Sequence, residues 1–69
     1  NRRHNGYPLV YRRWLGSDEF LICINPLDVP EAYPVGEGWQ TALANQDAAI
    51  EQGQLTLKPF GYVILKKKV

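Results

Sequence analysis

Few of these 69 residues carry side chains able to do covalent chemistry: one cysteine, one histidine and seven carboxylates, with two tryptophans and four tyrosines as candidate stacking surfaces. Nucleophilic catalysis needs a base within hydrogen-bond reach of the nucleophile. The lone histidine, His4, follows Arg2 and Arg3 in a basic leading stretch with no neighbour that would orient it. Cys23 lies inside the apolar run Phe20-Leu21-Ile22-Cys23-Ile24. With no cation or base beside it in sequence to lower its pKa, it reads as a buried apolar thiol. One cysteine and one histidine fall short of the three or four ligands that zinc takes, so no metal is expected.

Glycosidases use two carboxyl groups in different environments. Here Asp18 and Glu19 fall in an expected turn, while Asp28, Glu31, Glu37, Asp47 and Glu51 fall in loops or at strand ends. No spacing among them buries one acid, so they read as solubilising turn residues. Gly36-Glu37-Gly38 opens like a glycine-rich phosphate loop but lacks the third glycine and the helix that the motif requires. No catalytic residue, cofactor or metal ligand is therefore assigned. One binding chemistry stays open: Trp14, Tyr33 and Trp39 on the surface of a β domain would stack on the apolar faces of sugar rings. The competing reading places large aromatics in the core or against a partner domain.

Composition bounds the setting of these residues. At 45% hydrophobic and 22% charged, the chain suits one small globular domain over residues 1–69. A net charge of +1 lacks the basic excess of an autonomous nucleic-acid binder, so neither DNA nor RNA is an expected partner. Five of the eight Lys and Arg residues sit at the two ends, in Arg2-Arg3-His4 and Lys66-Lys67-Lys68, as solvated termini would. No apolar run approaches the roughly 20 residues that span a bilayer, and no membrane partner is expected. A single cysteine is compatible with a reducing compartment, which slightly favours the cytoplasm. A domain this small buries only about 60% of its unfolded surface, so it is expected to lean on a neighbour for stability.

Alternation of apolar and polar residues gives the elements. Leu9 to Trp14 reads as a strand after Pro8, and Leu15-Gly16-Ser17-Asp18 as a tight reversal into a second strand, Glu19 to Asn25. That second run is apolar on both faces, which marks a central strand. Prolines at 26 and 30 force a loop, followed by a short edge strand over Glu31 to Val35. Trp39 to Leu43 alternates as another strand, with Trp39, Thr41 and Leu43 expected inward. Asn45 to Gly53 could start with an N-cap, but a two-turn helix with so little apolar stripe is marginal. A surface loop with a short strand at 49–51 is favoured. Gln54 to Leu57 and Tyr62 to Lys66 close the chain around a turn at Lys58-Pro59-Phe60-Gly61. The whole predicts an all-β antiparallel sandwich, Greek-key-like, of two sheets and about six to eight short strands. Its expected core is Leu9, Tyr11, Phe20, Ile22, Ile24, Trp39, Leu43, Leu55, Leu57, Val63 and Leu65.

Three segments, in order, resemble the C-terminal β domain of the α-amylase superfamily, glycoside hydrolase family 13. Tyr7-Pro8-Leu9-Val10-Tyr11-Arg12-Arg13 resembles the strand that opens that domain after the catalytic barrel. Glu19 to Asn25 is similar to the family's central apolar strand ending in asparagine, and Gln54 to Leu65 resembles its closing hairpin. The resemblance implies a noncatalytic accessory domain packed on an upstream barrel of the same chain, the parent being a glycosidase or glucosyltransferase of α-glucosidic linkages. It places no catalytic residue here, because the family's carboxylates lie on the barrel. The alternatives are a carbohydrate-binding module for α-glucan or oligosaccharide, using the three aromatics, or a free-standing protein-interaction domain.

Overall fold

The computed structural model describes residues 8–46 and 49–68, the side chain of Lys68 excepted, so the readings of Arg2, Arg3, His4, Tyr7 and Asp47 lie outside the described residues. Leu9–Leu15 (β1) and Asp18–Ile24 (β2) pair antiparallel around a turn in which Gly16 takes a φ of 64°, a region open to glycine at little steric cost. The chain then crosses to a second sheet for Glu31–Pro34 (β3) and back for Gln40–Ala44 (β4). It crosses again for Ile50–Glu51 (β5) and Gln54–Leu57 (β6), and returns for Tyr62–Lys68 (β7). The result is a four-stranded sheet ordered β1-β2-β7-β4 facing a three-stranded sheet ordered β3-β6-β5, with every pairing antiparallel. This is the expected sandwich, and the short strand expected over 49–51 forms at Ile50–Glu51.

The core between the sheets is small. It consists of Leu21, Cys23, Leu55, Leu57, Val63 and Leu65, all essentially solvent-free, with Val10, Val35, Trp39, Ala44 and Ile50 packed around them. The expected core is therefore corrected at six positions. Leu9, Tyr11, Phe20, Ile22, Ile24 and Leu43 share the opposite face of the four-stranded sheet. In β2 both alternating sets are apolar, so hydrophobicity alone cannot choose the buried one. The buried set is bracketed by two polar residues, Glu19 and Asn25, each with a partner inside. In β4 a register shift between Thr41 and Leu43 places Leu43 opposite Ile64 and Ala44 opposite Val63. A bulge of this kind re-aims the side chains beyond it, so Leu43 leaves the face its alternation assigned.

One knot joins the two sheets. Buried Asn25 donates its side-chain amide to the carbonyls of Val29 at 2.8 Å and Lys58 at 3.0 Å. Its Oδ1 accepts from the Leu27 N–H, and its own N–H donates to the Gly61 carbonyl at 2.8 Å. From the other side, Asn45 accepts from the Tyr62 N–H and donates to the Phe60 carbonyl, while Gln46 accepts from the Lys58 N–H. Between them lies the turn Lys58–Gly61, closed by the Gly61 N–H on the Lys58 carbonyl. Pro59 at its second position and a φ of 58° at Phe60 in its third make a type II pattern. A third-position phenylalanine is unusual, and such backbone persists only where its surroundings hold it.

Gly61 is fixed by space. A Cβ there would meet the Gln46 side chain and approach the Lys58 carbonyl oxygen to 2.9 Å. Gly61→Ala should therefore destabilise the domain by roughly 1–3 kcal/mol through crowding. Asn25→Ala should cost a similar amount, by leaving buried carbonyls without a donor. Urea unfolding followed by tryptophan fluorescence checks both, with Thr41→Ala, exposed on edge strand β4, as the near-neutral control.

Candidate functional site

The four-stranded sheet carries its functional options on two faces. On the outer face, cross-strand partners form three rows: Leu9, Ile24 and Tyr62; then Tyr11, Ile22, Ile64 and Leu43; then Arg13, Phe20, Lys66 and Gln40. Seven of these eleven side chains are aliphatic or aromatic in the first two rows alone. No element among the described residues packs over them, since the three-stranded sheet lies across the opposite face. Tyr11 is 44% exposed and Leu43 55%, and Ile22, Ile24 and Ile64 are half-buried. The third row turns cationic. Arg13 donates to the Arg12 carbonyl and meets no carboxylate among the described residues, whereas Lys66 lies 3.8 Å from Asp18.

The inner face is turned to the second sheet, and its end nearest the β1–β2 turn carries a polar and aromatic row. There Trp14, Glu19 and Lys67 are register partners across β1, β2 and β7. Arg12, two residues before Trp14, forms an ion pair with Glu19. The carboxylate is buried while half the arginine side chain remains in solvent. Lys67 Nζ stands 4.6 Å from the centre of the Trp39 ring, within cation–π range. Trp39 in turn donates its indole N–H to the Val35 carbonyl at 2.7 Å.

The three aromatics singled out from sequence do not form one platform. Trp14 projects from the edge strand β1 and is 61% exposed. Tyr33, opposite Leu55, points into the sandwich and is half-buried. Trp39 packs against the core under Lys67. The carboxylates also depart from expectation at two places. Glu19 lies within β2 and Glu31 at the start of β3, and both are buried instead of serving as solvated turn residues. They do not make a catalytic pair, because Glu19 lies at the turn end of β2 whereas Glu31 pairs with Leu57 beside Asn25, at the other end. The signal for Glu19 was an acidic residue on the same alternating set as Leu21 and Cys23, with Arg12 able to reach it across the hairpin. Among the described residues no three His, Cys, Asp or Glu side chains gather to hold a metal, and no helix is long and apolar enough to cross a membrane.

Cys23 sits in the core with no accessible surface, and burial pushes its thiol up to about 11 from 9.0. Desolvation penalises the thiolate, so this sulfur is poorly nucleophilic at neutral pH. No protein-family model, curated protein or solved structure matches the chain.

The linkage has a definite sign. In the folded domain the Cys23 proton is held more tightly than in the unfolded chain, so this group's contribution is constant below pH 9.0 and stability falls as pH rises towards about 11. Cys23→Ala should flatten the decline across that interval while lowering stability at pH 7. At pH 8 a thiol reagent should label the native protein only through unfolding. Denaturation curves at several pH values, with labelling rates compared in water and urea, check all three outcomes.

Proposed function

We propose that this chain is a noncatalytic β domain that packs the outer face of its four-stranded sheet against the catalytic barrel of an α-amylase-type glycoside hydrolase, stabilising that barrel and acting on no substrate itself. The observation that carries the reading is the pair of apolar rows headed by Leu9 and Tyr11, which no element among the described residues covers. Contiguous apolar surface of this kind marks an interaction site. Two of the segments that carry the family resemblance also meet in space. The strand running to Asn25 and the turn Lys58–Gly61 are joined by that asparagine's hydrogen bonds, which gives the resemblance a common physical basis.

The size of the core agrees with a supported role. Six side chains fill it, against seven held in the two apolar rows outside. Covering those rows would add apolar burial worth about 25 cal/mol per Å², an upper bound because the free surfaces are already partly shielded.

Joining this chain to the sequence encoded immediately before it in its reading frame tests the proposal. The joined protein should unfold at a higher temperature than the 69 residues alone. Replacing Tyr11 and Leu43 together by aspartate should remove that gain while changing the isolated domain little. A reading frame with no α-amylase-type barrel ahead of the chain, or a joined protein indifferent to Tyr11 and Leu43, ends the reading.

A further inference from the structure

On the docking reading above, we propose that the Phe60 ring is the anchor of that interface: it seats in an apolar pocket of the docked barrel, and the strained turn beneath it holds it ready. Phe60 serves the fold badly. It takes a φ of 58° at the third position of its turn, where glycine is at ease and a bulky side chain is not. Its ring is also 64% exposed. The bonds that fix it run from its own N–H to the Leu27 carbonyl and from the Asn45 amide to its own carbonyl. Both are made by backbone atoms of residue 60, so they would form equally well with glycine in its place.

A contrast within the chain sharpens the point. Among the described residues, the other non-glycine position with positive φ is Gln52, at 53° beside Gly53 in the β5–β6 hairpin. A two-residue hairpin loop demands that backbone, and solvent readily receives the polar side chain. At Phe60 the backbone costs the free domain stability, and the exposed ring recovers little of it by burial. Strain of this kind collects at sites that grip a ligand or a partner. Aromatic rings seated in well-packed pockets also dominate the binding energy of protein interfaces.

The turn adjoins the apolar rows. Ile24 and Tyr62, register partners in the first row, lie next to Asn25 and Gly61, whose backbone bond of 2.8 Å closes that end of the sheet. A surface laid over Leu9, Ile24 and Tyr62 therefore has Phe60 at its margin, two residues from Tyr62. Exposed Val29, whose carbonyl the Asn25 amide holds, belongs to the same end. The mounting is rigid as well. Asn25 on one side, with Asn45 and Gln46 on the other, ties down Lys58–Gly61, so this loop loses little freedom when the ring is seated.

Phe60→Gly separates anchoring from folding, because the two should move in opposite directions. In the 69-residue chain it should raise the folding equilibrium constant about two- to tenfold, read from urea unfolding, by relieving the backbone. In the protein joined to its upstream sequence it should remove roughly half or more of the gain in unfolding temperature. Phe60→Tyr, which keeps both the ring and the strain, should retain the gain, and Gln52→Gly should ease its own turn and leave the gain intact. A gain that survives Phe60→Gly but is lost in the Tyr11→Asp, Leu43→Asp double variant overturns the anchor and leaves the docking standing. A Phe60→Gly chain less stable than the parent 69 residues also overturns it, by making the ring a structural part of the domain. A joined protein with no gain at all ends both readings.

Discussion

A buried asparagine governs this fold. Asn25 ends the central strand with its amide turned into the sandwich, where it holds the loop that leaves β2 and the turn that enters β7. An unpaired amide there would cost a few kcal/mol, so the two loops must meet in one arrangement for the group to be satisfied. That requirement fixes how the sheets close at this end. It also explains the crowding around Lys58–Gly61: with Asn25 on one side and Asn45 and Gln46 on the other, no space remains for a side chain at Gly61. The left-handed backbone of Phe60 is held by the same set of bonds.

Much of the architecture is legible in the residue pattern. Gly16, the prolines at 26 and 30, and Lys58-Pro59-Phe60-Gly61 each punctuate the chain where the structure turns, and the strands between them alternate or run apolar. The inside of the sandwich is less legible. In β2, Phe20, Ile22 and Ile24 outweigh Leu21 and Cys23 in bulk, and the polar residues Glu19 and Asn25 argue against the set that is in fact buried. Their partners come from Arg12 and from backbone carbonyls that only the folded chain brings near. In β4 the bulge exchanges faces within one residue, and nothing in Thr41-Ala42-Leu43 announces it. The same limit applied to the surface: Trp14, Tyr33 and Trp39 are equivalent as residue types, and only register separates the exposed indole from the two that pack.

The four-stranded sheet is thus differentiated across its thickness. Its outer face is apolar over two rows and cationic over a third, while the turn end of its inner face combines an exposed indole with an internally neutralised ion pair. The first arrangement excludes water once covered, and the second keeps half of the Arg12 side chain hydrated. Both depend on the pleat of β1 and β2, whose successive residues serve opposite sides.

The two sheets end in four strands, and each is ill suited to recruiting another chain. β5 spans two residues, β3 finishes on a proline, and β4 is interrupted by its bulge. Only β1 offers a long straight margin, and Arg12 and Arg13 stand in the middle of it. Charges at such a position discourage edge-to-edge growth into fibrils. The arginines therefore guard a chain with little interior of its own against polymerising through its backbone.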